Sequence, residues 1–215
     1  MIDRRHFNNA CLATVLALTA GARAACSTTS APLNWYRLPS EAPPGEPAPR
    51  AAAAVASGTA VWELVPGLPM PELLGRDTLL VEEGAAGIRL LYGHRWAEPL
   101  RDALPRLLRD DLARFVPGLW TGPASPNAVL AGRVQVELLA LQGSLPRRQV
   151  AVSARWVVTP SAAAATDPSA RIAPRAYRAD ETVPWTEMSP ESLVVAQRVA
   201  MWRLAQRIAA SLQGG

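Results

Sequence analysis

Few side chains in this sequence could take part in acid–base, nucleophilic or metal chemistry. A Ser-His-Asp triad would have to use His94, yet the G-x-S-x-G motif that exposes such a serine is missing. Motifs typical of zinc sites and of nucleotide-binding loops are missing as well. The carboxylate pairs Glu82-Glu83 and Asp110-Asp111 fall at a predicted turn and on the predicted solvated flank of a helix. We therefore expect no catalytic residue, no metal site, no cofactor and no enzyme, and we assign His94 a capping or surface role.

One cysteine is placed where covalent chemistry is expected. Residues 24–27 read Ala-Ala-Cys-Ser, which resembles a lipobox, where small residues precede a cysteine that is acylated on its thiol. Residues 1–25 read as an export signal, since arginines precede an apolar stretch at 10–21 that is too short to span a bilayer. The only other cysteine, Cys11, lies inside this signal, so Cys26 has no disulfide partner after cleavage. These observations predict lipidation of Cys26.

The end of the signal leaves two outcomes open. Arg23 stands where a lipobox usually has an aliphatic residue, and residues 22–24 also form an A-x-A cleavage site. Cleavage after Ala24 would release a soluble periplasmic protein instead of a lipid-anchored one. The DRRHF sequence at 3–7 resembles a twin-arginine signal, so both this route and the general secretory route remain open. Ser27 in place of Asp suits onward sorting of a lipoprotein to the outer membrane.

The charge of the chain excludes one class of partner. The formal net charge is +4, and all 22 basic residues are arginine. Outside residues 1–25 the chain carries 19 arginines and 17 acidic residues, so the exported part is close to neutral. No dense basic patch is present, and we predict no binding to nucleic acid.

Two amphipathic helices are predicted to organise the domain. The first covers residues 95–116, with apolar residues at steps of three and four. Those residues are Trp96, Leu100, Leu104, Leu107, Leu108, Leu112, Phe115 and Val116. The second starts at residues 189–191, where serine caps, proline takes the first position and glutamate favours the positive end. Its predicted buried face is Leu193, Ala196, Ala200, Leu204, Ile208 and Leu212.

Alternating or continuous apolar stretches predict the strands that these helices cover. The stretches are 34–38, 59–65, 77–83, 88–92, 129–142, 149–159 and 177–183. We expect an α+β fold with a mixed, largely antiparallel sheet of about five or six strands and both helices packed on one face. Residues 26–33 are the predicted tether and 34–215 a single domain, which includes a Pro- and Ala-rich exposed connector at 39–58.

Seven tryptophans are many for a chain of this size. Four follow core-facing patterns: Trp62, Trp96, Trp156 and Trp202. Trp35, Trp120 and Trp185 lie in predicted edge or loop segments. There they are either partly buried under loops or exposed as an interface with protein or lipid.

Several segments in a fixed order resemble one known family. They are WYRL at 35–38, VPGLP at 65–69, LLGR at 73–76, the stretch 81–90, RWAEPL at 95–100 and LAQRIA at 204–209. Together with Cys26 they resemble the ABC-transport auxiliary lipoproteins of the PqiC/YmbA type, over nearly the whole exported chain.

The resemblance implies a non-enzymatic lipoprotein on the periplasmic face of the outer membrane. Its implied partners are an MCE-type protein and an inner-membrane ABC transporter that move lipids between membranes, and a ring-like homo-oligomer is left open. An alternative is a free periplasmic module that carries a lipid or another apolar ligand under its two helices. We expect Trp96 to fix the first helix to the sheet, while Arg95 stays solvated or meets a partner. The candidate interaction residues are Arg95, Trp96, Trp35, Trp120 and Trp185.

Overall fold

The structure is a computed structural model that describes residues 32–47, 60–120, 129–161 and 173–213. From Leu33 onwards the chain forms one compact unit. The predicted export signal and the tether up to residue 31 lie outside the described residues, as do 48–58 of the connector. The strands are β1 Asn34–Tyr36, β2 Val61–Leu64, β3 Thr78–Glu83, β4 Gly87–Trp96, β5 Leu119–Trp120, β6 Leu130–Ser144, β7 Gln149–Pro160 and β8 Arg175–Pro184. The helices are α1 Leu100–Phe115 and α2 Pro190–Gln213, with a short 3₁₀ turn at Glu72–Gly75.

All eight strands belong to one mixed sheet, which confirms the predicted α+β class. The longest pairings are antiparallel, between β6 and β7 and between β7 and β8. The other side of β6 is shared by two parallel neighbours, because β2 pairs with residues 130–134 and β3 with residues 143–144. From β3 the sheet continues through β4 to the short edge strand β1. On the β2 branch the last strand is β5, which pairs with β2. The described sheet therefore ends at β8 on one side, and on the other at β1 beyond β3 and at β5 beyond β2.

The core lies between one face of the sheet and the two helices. On β6 and β7 every second residue is buried for much of the length, as the alternation predicts. Helix α2 contacts β6, β7 and β8, and α1 packs beside α2. All six predicted core residues of α2 are buried. Of the tryptophans expected in the core, Trp96, Trp156 and Trp202 are buried and Trp62 is half-buried.

The first helix begins four residues after Trp96, so its predicted start is wrong. Arg95 and Trp96 are instead the last two residues of β4, because β1 on one side and the start of β3 on the other offer them backbone partners. The Trp96 N–H donates to the Asp77 carbonyl at 2.7 Å. Pro99 then precedes the helix in an extended conformation, with φ −60° and ψ 131°. Pro105 lies inside α1, and the helix continues past it.

The described part of the connector is attached to α2. The prediction of an exposed connector did not include this attachment. Arg198 donates two hydrogen bonds to the Glu41 carbonyl oxygen, at 2.9 and 3.2 Å. Arg203 is paired with the Glu46 carboxylate at 2.6 Å. Pro43 is buried between these two contacts. Residues 41–46 are thus bound to α2 by two arginines that are five residues apart on that helix.

Candidate interaction site

The described residues show no group of three or more His, Cys, Asp and Glu side chains that could hold a metal ion. His94 lies within β4 and not at a helix entry. Its Nδ1 is 2.9 Å from the Tyr36 hydroxyl, with which it forms a hydrogen bond. The two rings are 5.6 Å apart between centroids. This contact joins β1 to β4, so the imidazole has a structural partner on the neighbouring strand.

The predicted interaction residues do not form one site. Trp35 is 59% exposed on β1, in register with Arg95 on β4. The Arg95 guanidinium is paired with Asp77 and remains partly exposed. Trp96, one residue further on, is only 6% exposed and lies in the core. β4 therefore presents Arg95 outward and Trp96 inward at the point where the sheet meets α1.

Trp185, another of the candidate interaction residues, is buried in the structure and not exposed for a contact. The side chain is 2% exposed. Its indole Nε1 donates to Ser192 Oγ at 2.9 Å and to the Ser189 carbonyl at 3.2 Å. Trp185 thus fixes the first turn of α2 to the end of β8. Trp120 lies in β5 by its backbone and its side chain lies outside the description, as does Cys26.

Other exposed hydrophobic side chains lie on or next to the two strands at this end of the sheet, β1 and β4. Seven large hydrophobic residues are exposed in the described parts of the chain, and four of them lie on β4, on β1 or directly before β1. They are Leu33, Trp35, Ile88 and Tyr92, which are 51%, 59%, 43% and 84% exposed. We call these four residues the aromatic edge. Sequence analysis missed Ile88 and Tyr92, although the predicted strand 88–92 begins and ends with them.

The register places these residues on two adjacent strands at the end of the sheet. β1 runs parallel to β4, with Asn34 beside His94 and Trp35 beside Arg95. Neighbouring strands lie about 4.8 Å apart and residues rise about 3.3 Å along each strand. Tyr92 precedes Arg95 by three residues on β4, where the pairing with β3 is interrupted by a register shift. In the described residues, β4 has no strand partner along 87–93 on the side that β1 covers at 94–96. The aromatic edge consequently flanks an unpaired stretch of backbone.

The charges around the aromatic edge are mostly neutralised in pairs. Arg89 is paired with Glu83, and Arg95 with Asp77. Arg37, two residues after Trp35, is exposed and has no ion-pair partner among the described residues. The surface beside the edge therefore combines exposed aromatic rings with the positive charge of Arg37.

A second surface feature is an open groove between α2 and the end of β8. It encloses about 430 Å³, which lies within the range of small-molecule sites. Val183, Pro184, Val195 and Val199 supply apolar walls, and Glu187 and Glu191 lie at the rim. The space directly between the helices and the sheet is filled by core side chains such as Leu104 and Leu108.

A buried ion pair joins the two helices, and sequence analysis did not foresee it. Asp111 of α1 is fully buried, although it was expected on a solvated flank. Arg198 of α2 donates to both carboxylate oxygens, at 2.7 and 2.8 Å. Burial raises the pKa of the Asp111 carboxyl, while hydrogen bonding to Arg198 acts to lower it. Because the same guanidinium bonds to Glu41, one arginine connects α1, α2 and residues 41–46.

These features define an α+β domain with a closed core, a connector tied to its helices and an exposed aromatic edge. The chain belongs to the family of ABC-type transport auxiliary lipoprotein components, whose family model matches residues 36–209. The matched region runs from the last residue of β1 to the last turn of α2.

Two crystal structures have a similar fold. One is of an uncharacterized protein, with a TM-score of 0.58 and 14% identity over 84% of this chain and 98% of that one. The other is of protein XCC0632 from Xanthomonas campestris, of family DUF330, with a TM-score of 0.56 and 12% identity over 83% of this chain and 95% of that one. At such low identities the likeness establishes the fold. No curated protein matches the chain.

Proposed function

We propose that the protein is a non-enzymatic lipoprotein that assists an ABC-type system in moving lipids between the two membranes of the envelope. Cys26 carries the lipid anchor, which holds the domain on the periplasmic face of the outer membrane. The inner-membrane ABC transporter and an MCE-type protein are its partners. The observation that carries the proposal is the family match over residues 36–209, which begins nine residues after the end of the lipobox-like residues 24–27.

The described structure supports an auxiliary role, since ionisable side chains at the two helices are engaged in structural contacts. Asp111 is paired with Arg198, and Glu46 with Arg203. Among the described helices none is long and apolar enough to cross a bilayer.

The anchor is tested by the fate of Cys26 in cells. We expect mass spectrometry of the exported protein to find an acylated Cys26 as the first residue, with the protein in the membrane fraction. Cys26→Ala should become soluble in the periplasm or remain as precursor. The matched control is Cys11→Ala, because Cys11 is the only other cysteine and lies within the export signal. A soluble wild-type protein that begins at Ala25 would contradict the anchor.

The transport role is tested by partners. After cross-linking in cells and solubilisation in detergent, the protein should co-purify with an MCE-type protein and with subunits of an ABC transporter. Native mass spectrometry of the same sample reports whether several copies of the chain are present. Recovery of the acylated chain alone, with the cross-linker active on other envelope complexes, would contradict this role.

A second candidate function is a free periplasmic carrier of an apolar ligand. The groove between β8 and α2 favours it, since its walls are apolar and its volume suits an acyl chain or similar ligand. Native mass spectrometry that finds a lipid on the monomer, and loses it in Val195→Asp, would support the carrier over the auxiliary lipoprotein.

A further inference from the structure

We propose that the aromatic edge, Leu33, Trp35, Ile88 and Tyr92, rests in the headgroup layer of the membrane that carries the anchor and so sets the orientation of the domain. This inference rests on the proposed lipidation of Cys26. It adds a second membrane contact, made by the folded domain itself.

The length of the tether brings this edge close to the bilayer. Leu33 follows Cys26 by seven residues, which span at most about 25 Å when fully extended. β1 begins directly after Leu33, so the edge strand is the part of the sheet that the anchor restrains most tightly. The effective concentration of the edge at the membrane is therefore high.

The residue types match what the interface accepts. Trp and Tyr side chains are enriched at the headgroup level, because their rings are apolar while the indole N–H and phenol O–H stay hydrated. Trp35 and Tyr92 are the two exposed aromatic residues among the large hydrophobic side chains of the described chain. Arg37 lies two residues from Trp35 without an acidic partner in the described residues, and it can meet a lipid phosphate.

The remaining exposed hydrophobic residues do not form such a surface. They are three valines on different parts of the chain: Val129 directly before β6, Val157 on the outer face of β7 and Val195 on α2. Charge pairs lie beside Val157, Arg155 with Glu137 and Arg178 with Asp180. Charge pairs flank the aromatic edge as well, but there two exposed aromatic rings accompany them, whereas the face of Val157 offers one small side chain. The aromatic edge is thus the hydrophobic surface that combines exposure with proximity to the anchor.

The first experiment measures binding without the anchor. The exported chain carrying Cys26→Ser is mixed with vesicles of phosphatidylethanolamine and phosphatidylglycerol, and its partition is measured by co-sedimentation. We expect measurable binding that falls about tenfold in Trp35→Ser/Tyr92→Ser. Val157→Ser, a position that is 39% exposed on the outer face of β7, should stay within about twofold of the parent. Both substituted residues are exposed, so thermal unfolding should be little changed and serves as the folding control.

The second experiment places the edge in depth. The exported chain from Cys26 onwards is coupled through its single thiol to a maleimide lipid in vesicles that contain brominated phosphatidylcholine. The wild type should lose more tryptophan emission than Trp35→Phe, because the difference between them is the emission of Trp35. Equal quenching in the two chains would overturn the proposal.

Other outcomes are equally decisive. If Trp35→Ser/Tyr92→Ser binds vesicles as well as its parent, or if Val157→Ser loses as much, the edge does not contact the membrane. If the double variant instead abolishes self-association in analytical ultracentrifugation while vesicle binding is unchanged, the edge is a protein interface and the proposal is wrong. A protein without an acyl group in cells overturns the proposed function, whereas both vesicle experiments still report on the edge itself.

Discussion

Asp111 of α1 and Arg198 of α2 form a bidentate ion pair, and both side chains are almost fully buried. The exposed fractions of the two side chains are 0% and 3%. Arg198 also lies over the ring of Trp202, 5.3 Å from its centroid, and bonds to the Glu41 carbonyl. This guanidinium is thus the point at which two helices and the connector meet.

Arg198→Met should destabilise the protein by about 3–5 kcal/mol. Methionine preserves most of the length of the side chain but removes its charge, so the buried Asp111 carboxylate loses the partner that Arg198 provides. An uncompensated buried charge is costly. It also removes the donors to the Glu41 carbonyl. The free energy of unfolding in urea measures the loss.

The matched control is Arg207→Met on the same helix. Arg207 forms an ion pair with Glu181 but is 66% exposed, so its removal should cost at most about 1 kcal/mol. The double variant Asp111→Leu/Arg198→Met should regain much of the stability that Arg198→Met loses, because no buried charge remains. Equal losses for Arg198→Met and Arg207→Met would show that burial does not decide the strength of these pairs.

The loss in Arg198→Met should also depend on pH. Without Arg198, the pKa of the Asp111 carboxyl rises further above its ordinary value of 3.8, since only the more distant Arg114 then opposes the effect of burial. A folded pKa above the unfolded one gives stability that is present below the unfolded pKa and lost as pH rises through the folded pKa. The difference in unfolding free energy between wild type and Arg198→Met should therefore grow from acidic to neutral pH. Asp111→Asn/Arg198→Met should not show this dependence, and a constant difference in the single variant would contradict the explanation.

Much of the fold could be predicted, because long elements repeat their pattern many times. The strands β6 and β7 each show several alternations, and α2 repeats its apolar face over six turns. The start of α1 could not be placed in this way. Trp96 falls at a helical spacing from Leu100, and the predicted strand before it ends at residue 92. Only the backbone partners on β1 and directly before β3 place Trp96 in β4.

The interaction surface was only partly predictable for a related reason. Trp35 was singled out by residue type, but exposure depends on which strand ends the sheet, and strand order is not contained in local periodicity. Tyr92 lies on the strand next to that of Trp35, and only the pairing of β1 with β4 shows this. Likewise Asp111 follows Asp110 in sequence, and the position of α2 decides which of the two carboxylates is buried.

Trp96→Ala should destabilise the protein strongly, by about 3–5 kcal/mol, because it removes a large side chain from the core. Trp35→Ala is the matched control on the adjacent strand, where the ring is mostly exposed, and it should cost no more than about 1 kcal/mol. Urea denaturation of both variants checks the contrast. A stable Trp96→Ala protein with wild-type near-ultraviolet circular dichroism would contradict the role of Trp96 in joining α1 to the sheet.

Ser189→Ala should lower the stability by about 1 kcal/mol by uncapping α2. The Ser192 N–H donates to Ser189 Oγ at 3.1 Å, and the Ser189 N–H donates to Ser192 Oγ at 3.1 Å, which is a reciprocal capping arrangement. Ser189→Asp keeps an acceptor for the same N–H and adds a negative charge at the positive end of the helix, so it should remain close to wild type. Urea denaturation distinguishes the two, and the cap explanation fails if aspartate destabilises as much as alanine.

Because Ser192 also accepts from Trp185, Ser192→Ala should cost more than Ser189→Ala, and hydrogen exchange at the start of α2 should report the additional loosening.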